Sequence, residues 1–196
     1  SIGSVTHMSL RTVQSLPAWG DFTTAHWGGG ALFDLGVHPI AIAVLVGRAI
    51  GAGEVVAVSA KLNGETTDTH AELELTFANG LTATVVSSWQ GSETPEWNFQ
   101  VASDQGVVRA ELMPNLILEH NGDEVSLPPA TAPIPFIQQF GYTGQLQAFA
   151  EDLTNHTTPF MDIAFGRWIM EIACAGYVSA RHASQEIAVP SGCDRF

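Results

Sequence analysis

Apolar residues recur with two different periods along the chain, and each change of period marks a new element. Residues 5–13 alternate as in a strand, whereas residues 31–46 carry an apolar stripe at helical spacing that we expect to end at Gly47. From Glu54 onward the period is again two. The pattern therefore predicts a strand, a helix and then a run of strands.

Alternation within the strands predicts which side chains face the core. In the stretch EVVAVSAKL one side of the strand carries Val56, Val58, Ala60 and Leu62. In HAELELTF the inward residues are Ala71, Leu73, Leu75 and Phe77. The residues between them are mostly polar, so each strand has one face for the core and one for water or another subunit.

Asn-Gly pairs are expected to connect neighbouring strands. Asn79 and Gly80 both tolerate positive φ, which favours a two-residue type I′ hairpin between their flanking strands. Asn121 and Gly122 indicate a second hairpin. Short links between consecutive strands predict an antiparallel meander.

The last third of the chain is predicted to be helical. Residues 128–135 are rich in proline, which lacks an N–H donor, so we expect an extended strap there. Two helices follow, the second with Asp162 as its N-cap, and a short strand at residues 186–189 ends the pattern. The apolar stripes consist of Tyr142, Leu146, Phe149, Ala150 and Leu153 in the first helix and Phe165, Trp168, Ile169, Ile172 and Gly176 in the second.

Together these elements predict one α+β domain spanning residues 1–196, with an open, mainly antiparallel sheet and helices packed on one face. The hydrophobic fraction of 45% is enough for a core of this size. The other face of the sheet, which is polar, is left for water or for a second copy of the chain. We expect a homo-oligomer formed through that open face.

The charge excludes several classes of partner. A formal net charge of −13 repels nucleic acid and anionic membranes, so neither is expected as a partner. The longest apolar run, residues 39–46, is shorter than the roughly 20 residues of a membrane helix. The two cysteines, Cys174 and Cys193, are too few for a disulfide framework, which favours a cytoplasmic location.

Two titratable residues stand at the head of the first helix. Asp34 and His38 are four residues apart and so lie on one helix face, where they can share a proton or grip one polar group. Pro39 is expected to kink or break the helix beside His38, because it removes a helical hydrogen bond. An anionic Asp34 should raise the proton affinity of His38, which suits proton transfer near neutral pH.

Simpler explanations exist for the same residues. Asp34 can be a capping carboxylate and His38 a core histidine with its hydrogen bonds satisfied. Residues 28–30 are three glycines, but the segment before them is a long loop, so a phosphate-binding fingerprint is not expected. Asp34, His38 and His26 are residue types that bind zinc, but no third ligand stands at a set spacing from Asp34 and His38. We therefore expect no metal.

The stretch GGGALFDLGVHPI resembles the signature of the glucose-fructose oxidoreductase, inositol dehydrogenase and MocA family, in which a glycine triplet leads into a helix carrying D-x-x-x-H. The tail, residues 142–190, is similar to the same family's closing helix pair and final strand. The resemblance implies the substrate domain of an NAD(P)-dependent sugar or polyol oxidoreductase. The family's amino-terminal Rossmann domain is not among these residues, so we expect this chain alone to be inactive.

The resemblance also implies roles for individual residues. By motif position His38 is the acid/base and Asp34 its orienting or substrate-binding partner. We expect Trp27, Gly29 and Tyr142 to contact a sugar or polyol substrate. The NAD or NADP cofactor is expected to be bound mainly by the missing Rossmann domain.

Two further points come from the resemblance. Gly36 and the glycine triplet are expected to make room for cofactor and substrate. Many family members have Asp at the third position after the motif histidine, where this chain has Ala41.

The alternative function is a non-catalytic sugar-binding or assembly module derived from the same domain.

Overall fold

The computed structural model describes residues 2–21, 23–24, 29–64, 67–126 and 141–189. The strands in these ranges are β1 Val5–Val13, β2 Val55–Asn63, β3 His70–Phe77, β4 Thr82–Ser88, β5 Glu96–Ser103, β6 Gly106–Met113, β7 Ile117–His120, β8 Asp123–Glu124 and β9 Ile187–Ala188. The helices are α1 Val37–Ala49, α2 Tyr142–Asn155 and α3 Ile163–Arg181, and a π-helical turn, Leu32–Gly36, leads directly into α1.

All nine strands form one sheet in the order β8-β7-β6-β5-β1-β4-β3-β2-β9. The first strand lies in the middle, antiparallel to β5 and parallel to β4, and the other neighbours are antiparallel. The predicted α+β class with a mainly antiparallel sheet is therefore confirmed. The central position of β1 departs from a simple meander, because β5 follows β4 in the chain but pairs with β1 instead.

The core lies between the sheet and the helices α1 and α3. Ile40 and Val44 of α1 and Ile172 of α3 are fully buried against apolar residues of the strands, among them Leu73 and Phe77. Each such side chain stabilises the fold by about 1.5–3 kcal/mol relative to an exposed one. This packing fixes the position of α1, and with it the helix head that carries Asp34 and His38.

The first helix continues beyond the predicted end at Gly47. It runs to Ala49, and Gly47 is buried inside it, where a Cβ would overlap the ring of Phe77. The glycine therefore allows close packing of the helix on β3 and does not act as a helix stop. Position 47 needs a glycine because a side chain would not fit. A sequence pattern cannot distinguish this role of glycine from that of a helix stop.

Two predictions about the strands need correction. A register shift between Val55 and Ala57 turns Val56 outward, so it is exposed instead of buried with Val58. The β3–β4 hairpin exists, but its loop has three residues, since the Phe77 N–H donates to the Leu81 carbonyl. Only the glycine of that loop has positive φ, so the turn is not type I′.

The second hairpin is confirmed. Asn121 and Gly122 join β7 to β8, and both have positive φ, as a type I′ turn requires. The predicted N-cap is also confirmed, because the Asp162 carboxylate accepts a hydrogen bond of 2.8 Å from the Phe165 N–H.

The first of the two helices predicted in the carboxyl-terminal part, α2, is present, and its apolar stripe is exposed within the described residues. It buries none of its residues, and the exposed fractions of its large apolar side chains are 50% for Tyr142, 69% for Leu146, 50% for Phe149 and 62% for Leu153. The stripe of α3, by contrast, is buried at Phe165, Ile169 and Ile172. Amphipathic spacing thus predicted both helices, but only one of the two apolar stripes is buried.

One helix of the described residues, Leu32–Ala49, is long and apolar enough to cross a membrane by length and composition. This segment is longer than the apolar run at residues 39–46 because it also includes the apolar residues of the preceding turns. In this fold the helix contacts β1, β4 and α3, as the core helix of a folded domain does.

Several sequence predictions fall outside the described residues. These are the roles of Trp27 and His26, the glycine at position 28, the proline strap at 128–135 and the thiol of Cys193. Cys174 lies in α3, where it is buried and forms no disulfide within the described residues.

We expect Gly47→Ala to lower the free energy of unfolding by about 1–3 kcal/mol, because the new methyl group would overlap the fully buried ring of Phe77. Urea unfolding followed by circular dichroism measures the change.

The matched control is Gly166→Ala, also within a helix, where a Cβ meets nothing within 4 Å. This variant should gain up to about 1 kcal/mol from the higher helix propensity of alanine. Equal effects of the two substitutions would show that the Gly47 contact does not limit the packing.

Candidate functional site

The helix that carries the predicted acid/base pair begins with a π-helical turn, Leu32–Gly36, which is wider than an α-helical one. Pro39, four residues after Leu35, has no N–H to donate to the Leu35 carbonyl. The hydroxyl of Thr12 in β1 donates to that carbonyl instead, at 3.4 Å. The predicted break beside His38 is therefore a widened turn that stays continuous with α1, and the sheet supplies a donor that the helix lacks.

A buried carboxylate holds the start of this turn. Asp68, just before β3, accepts hydrogen bonds from the Leu32 N–H at 2.7 Å and from the Tyr177 hydroxyl at 2.6 Å, and its own carbonyl accepts the Ala31 N–H at 2.8 Å. Burial raises the pKa of Asp68 above its usual range, against the lowering effect of these hydrogen bonds. Burial and the neighbouring Asp68 also raise the pKa of Tyr177. Asp68 therefore links the helix head to α3.

The glycines near this turn make room for the protein itself. At Gly30, which has a φ of +132°, a Cβ would overlap the Asp68 carboxylate. At Gly36 a Cβ would lie 2.6 Å from the Leu32 side chain and 3.0 Å from the Ser87 hydroxyl. The expectation that Gly36 makes room for cofactor and substrate is therefore wrong, because the space is filled by β4 and by the turn.

Asp34 projects from the π-helical turn and is half-buried. One of its carboxylate oxygens, Oδ2, accepts a hydrogen bond of 2.8 Å from the indole N–H of Trp89, the residue that follows β4. The backbone donors at the helix start bond to Asp68. The structure therefore does not show Asp34 as a capping residue, because the Asp34 carboxylate bonds to the side chain of Trp89.

His38 lies in the first turn of α1 and is exposed to solvent, so it is not a core histidine. Its ring contacts the indole of Trp97 in β5, with the ring centroids 5.2 Å apart and the planes tilted by 34°. Partial burial of the ring lowers the pKa of His38 below its usual 6.5, and the nearby charge of Asp34 raises it by a smaller amount. The predicted effect of Asp34 is thus present, but the burial of the ring outweighs it.

The two titratable groups are close enough for their charges to interact, yet each has its own aromatic partner. Neither is sealed in apolar packing. A neutral imidazole beside a carboxylate can accept a proton from a hydroxyl, and the carboxylate then stabilises the resulting imidazolium. The arrangement can thus perform general acid–base chemistry on a group that approaches the helix head.

The remaining predicted site residues are less informative. Gly29 lies next to the turn and is partly buried, and Tyr142 begins α2 with its side chain exposed. Their predicted roles in substrate binding stay predictions, as does the role of Trp27, which lies outside the described residues. Within the described ranges no group of three or more His, Cys, Asp or Glu side chains could hold a metal ion.

Comparison with known proteins finds one family. The sequence model of the GFO/IDH/MocA C-terminal domain matches residues 1–109, which include the π-helical turn, α1 and the two indoles. No curated protein matches the chain.

Solved structures share the fold at low sequence identity. GenD2 from gentamicin A biosynthesis, in complex with NAD, is 20% identical with a TM-score of 0.77 over 96% of this chain and 56% of that one. Levoglucosan dehydrogenase with NADH and L-sorbose is 17% identical with a TM-score of 0.74, over 96% of this chain and 59% of the other. The aldose-aldose oxidoreductase from Caulobacter crescentus, complexed with glycerol, is 20% identical with a TM-score of 0.73, over 96% and 56%. The chain thus spans little more than half the length of these proteins.

We expect His38 to titrate below 6.5 in the folded chain and Asp34→Asn to lower its pKa further, because the substitution removes the one charge that favours the imidazolium. Histidine ring resonances followed by NMR over a pH series measure both values. Asp123→Asn, at an exposed position of the β7–β8 hairpin, is the control and should leave the titration unchanged.

The same pKa shift affects stability in a defined direction. The unfolded chain binds a proton at His38 more readily than the folded chain does, so this group's contribution to the free energy of unfolding falls as the pH decreases through 6.5. A His38 titration above 6.5, or one that Asp34→Asn raises, would contradict the charge arrangement described here.

Proposed function

Since the chain belongs to the GFO/IDH/MocA family through that family's C-terminal domain, we propose that it forms the substrate domain of an NAD(P)-dependent oxidoreductase that acts on a sugar or polyol. In this proposal the chain supplies the groups that handle the hydroxyl proton. The observation that carries it is the exposed, weakly basic His38 next to Asp34 at the head of the widened helix turn. Complexes of similar folds with NAD, with NADH and L-sorbose, and with glycerol support the substrate class.

The lowered pKa of His38 suits the role of general base. At neutral pH its imidazole is neutral and can take the proton of a substrate hydroxyl as that carbon is oxidised. The charge of Asp34 then stabilises the imidazolium, and in the reverse direction His38 returns the proton to the carbonyl oxygen. Asp34 can also accept a hydrogen bond from a neighbouring substrate hydroxyl through Oδ1, because Trp89 bonds to Oδ2.

The glycine turn at the start of the helix does not fit the pyrophosphate of a dinucleotide. A phosphate-binding glycine turn needs free backbone N–H groups and no opposing charge. Here the Asp68 carboxylate packs against Gly30 and takes the Leu32 N–H, which places a negative group where phosphate would bind. NAD or NADP, which supplies the hydride acceptor, is therefore proposed to bind to a part of the intact protein other than these residues.

The test is the intact protein carrying His38→Asn. We expect its turnover to fall about 100-fold or more, because general acid–base catalysis is lost, while its Kd for the dinucleotide changes little. Steady-state kinetics with a panel of sugars and polyols, together with fluorescence titration of the dinucleotide, measure the two effects.

The matched control is His156→Asn. His156 is an exposed C-cap with a φ of 55°, a conformation that asparagine tolerates, so turnover should be unchanged. Equal losses of turnover and dinucleotide affinity would contradict the assignment of His38. Sugar binding with no turnover in the wild-type protein would favour the alternative, a non-catalytic sugar-binding or assembly module.

The open sheet face supports a second part of the proposal, a homo-oligomer. On this face the ring of His7 in β1 lies 3.1 Å from the Thr82 hydroxyl and 3.2 Å from the Thr84 hydroxyl, both in β4. On this face the two central strands present hydroxyl, imidazole and aliphatic groups, and α1 packs against their opposite face. We propose that a second copy packs here.

Sedimentation velocity tests the oligomer. The wild-type chain should sediment as a dimer or a larger species, and Thr84→Arg should sediment as a monomer, because the new charge would be buried between two copies. Gln105→Arg, at the exposed β5–β6 turn, is the control and should keep the wild-type species. A monomeric wild-type chain would contradict this part of the proposal.

A further inference from the structure

Two indoles lie beneath the helix head, where the mechanism above assigns them no role. Trp89 follows β4 and packs with Ala31 and Leu35 in a small buried cluster, whereas Trp97, the second residue of β5, packs against both that cluster and the main core. Each indole contacts one member of the Asp34–His38 pair.

Trp89 is almost completely buried, with 4% of its surface exposed. Its indole N–H, the only donor of the side chain, points at Asp34 Oδ2 at 2.8 Å. The backbone N–H of Trp89 donates to the Thr69 carbonyl at 2.8 Å, which anchors the residue to the sheet. The orientation of the Asp34 carboxylate is therefore set by a donor that the fold itself holds in place.

Trp97 acts on the other group. Its backbone pairs with Thr12 on one side and with Met113 on the other, so the position of the indole is fixed within the sheet. The tilted contact with the His38 ring shields part of the imidazole from water, in agreement with its lowered pKa. Without this contact His38, at the exposed head of α1, would have more freedom to rotate.

Trp168 is an indole whose buried N–H, unlike that of Trp89, is not directed at a carboxylate of the described residues. Trp168 of α3 packs against the main core, and its buried Nε1 has no hydrogen-bond partner in the described part of the chain. A buried donor without a partner is costly, so this residue contributes through its apolar surface. The N–H of Trp89, by contrast, is directed at a carboxylate.

We propose that Trp89 and Trp97 are positioning residues, in which the Trp89 indole N–H fixes the Asp34 carboxylate and the Trp97 ring fixes the His38 imidazole. The catalytic use of the pair rests on the proposed function. The positions themselves are a property of this chain and can be measured without turnover.

NMR titration of the histidine rings in the full 196-residue chain tests the proposal, with His38→Asn used to assign the His38 resonances. Trp97→Leu should raise the pKa of His38 by about half a pH unit or more, because the ring is returned to water. Trp97→Phe keeps an aromatic contact and should restore most of the wild-type value. A His38 titration that is the same in wild type and Trp97→Leu overturns the role of Trp97.

Trp89 is tested by a double-mutant comparison. In the wild-type background Asp34→Asn changes the His38 titration; in the Trp89→Phe background, where the carboxylate is no longer held, we expect that change to shrink by about half or more. An unaltered effect of Asp34→Asn overturns the role of Trp89. Trp168→Phe is the matched control, since it also removes a buried indole N–H, and it should leave the His38 titration as in wild type.

If Trp89→Phe does not fold, the same hydrogen bond is measured from its other end. In Asp34→Ala the Trp89 indole N–H resonance should move upfield, because its charged acceptor is gone. An unmoved resonance overturns the role of Trp89.

The outcomes distinguish this proposal from the proposed function. In the intact protein Trp89→Phe should lower kcat by about 10- to 100-fold with little change in the Kd for the dinucleotide, as expected for a misplaced catalytic group. If His38→Asn leaves turnover intact, the proposed function fails while the titrations still decide the positioning. If the titrations do not respond to either tryptophan, the positioning fails even when His38→Asn abolishes turnover.

Discussion

The candidate site depends on one buried carboxylate. The first turn of any helix leaves backbone N–H groups without partners inside the helix. Here Asp68 accepts the N–H groups of Ala31 and Leu32 through its carbonyl and its side chain, and its second carboxylate oxygen takes the Tyr177 hydroxyl. Burying a carboxylate is unfavourable, and these hydrogen bonds offset the cost. The same bonds fix the helix head relative to both β3 and α3.

The second constraint is the missing N–H of Pro39. Residue 39 has no N–H to donate to the Leu35 carbonyl, which lies in the π-helical turn, and the Thr12 hydroxyl of the sheet supplies a donor. The turn then lies close enough to β4 that Gly36 has no room for a side chain. Asp34 and His38, four residues apart across this turn, consequently have different partners: an indole after β4 for the first, and an indole of β5 for the second.

The sequence predicted what depends on local pattern and missed what depends on distant contacts. Alternation identified β3 and helical spacing identified α3, because period and side-chain direction are set by the backbone. The D-x-x-x-H spacing singled out Asp34 and His38. Asp68 gave no signal, since its three partners come from the helix head and from α3, and no spacing rule connects them.

Glycine and apolar residues were ambiguous for a related reason. Gly47 stands where a helix stop is plausible, yet it is inside α1 because Phe77 needs the space. The stripe of α2 has the same spacing as that of α3, but only the latter is packed on the sheet. Spacing states that a face is apolar. It does not state whether a partner covers that face.

The electrostatics of His38 follow from where the sheet places the two indoles. Burial of the His38 ring, to which the Trp97 contact contributes, outweighs the charge of Asp34 and lowers the pKa of His38. The carboxylate still favours the imidazolium once a proton arrives. The proposed use of His38 as a base that is neutral at rest and stabilised when charged therefore requires both effects. The fold supplies them from two strands of one sheet, since the Asp34 carboxylate is bonded from the end of β4 and the Trp97 contact comes from β5.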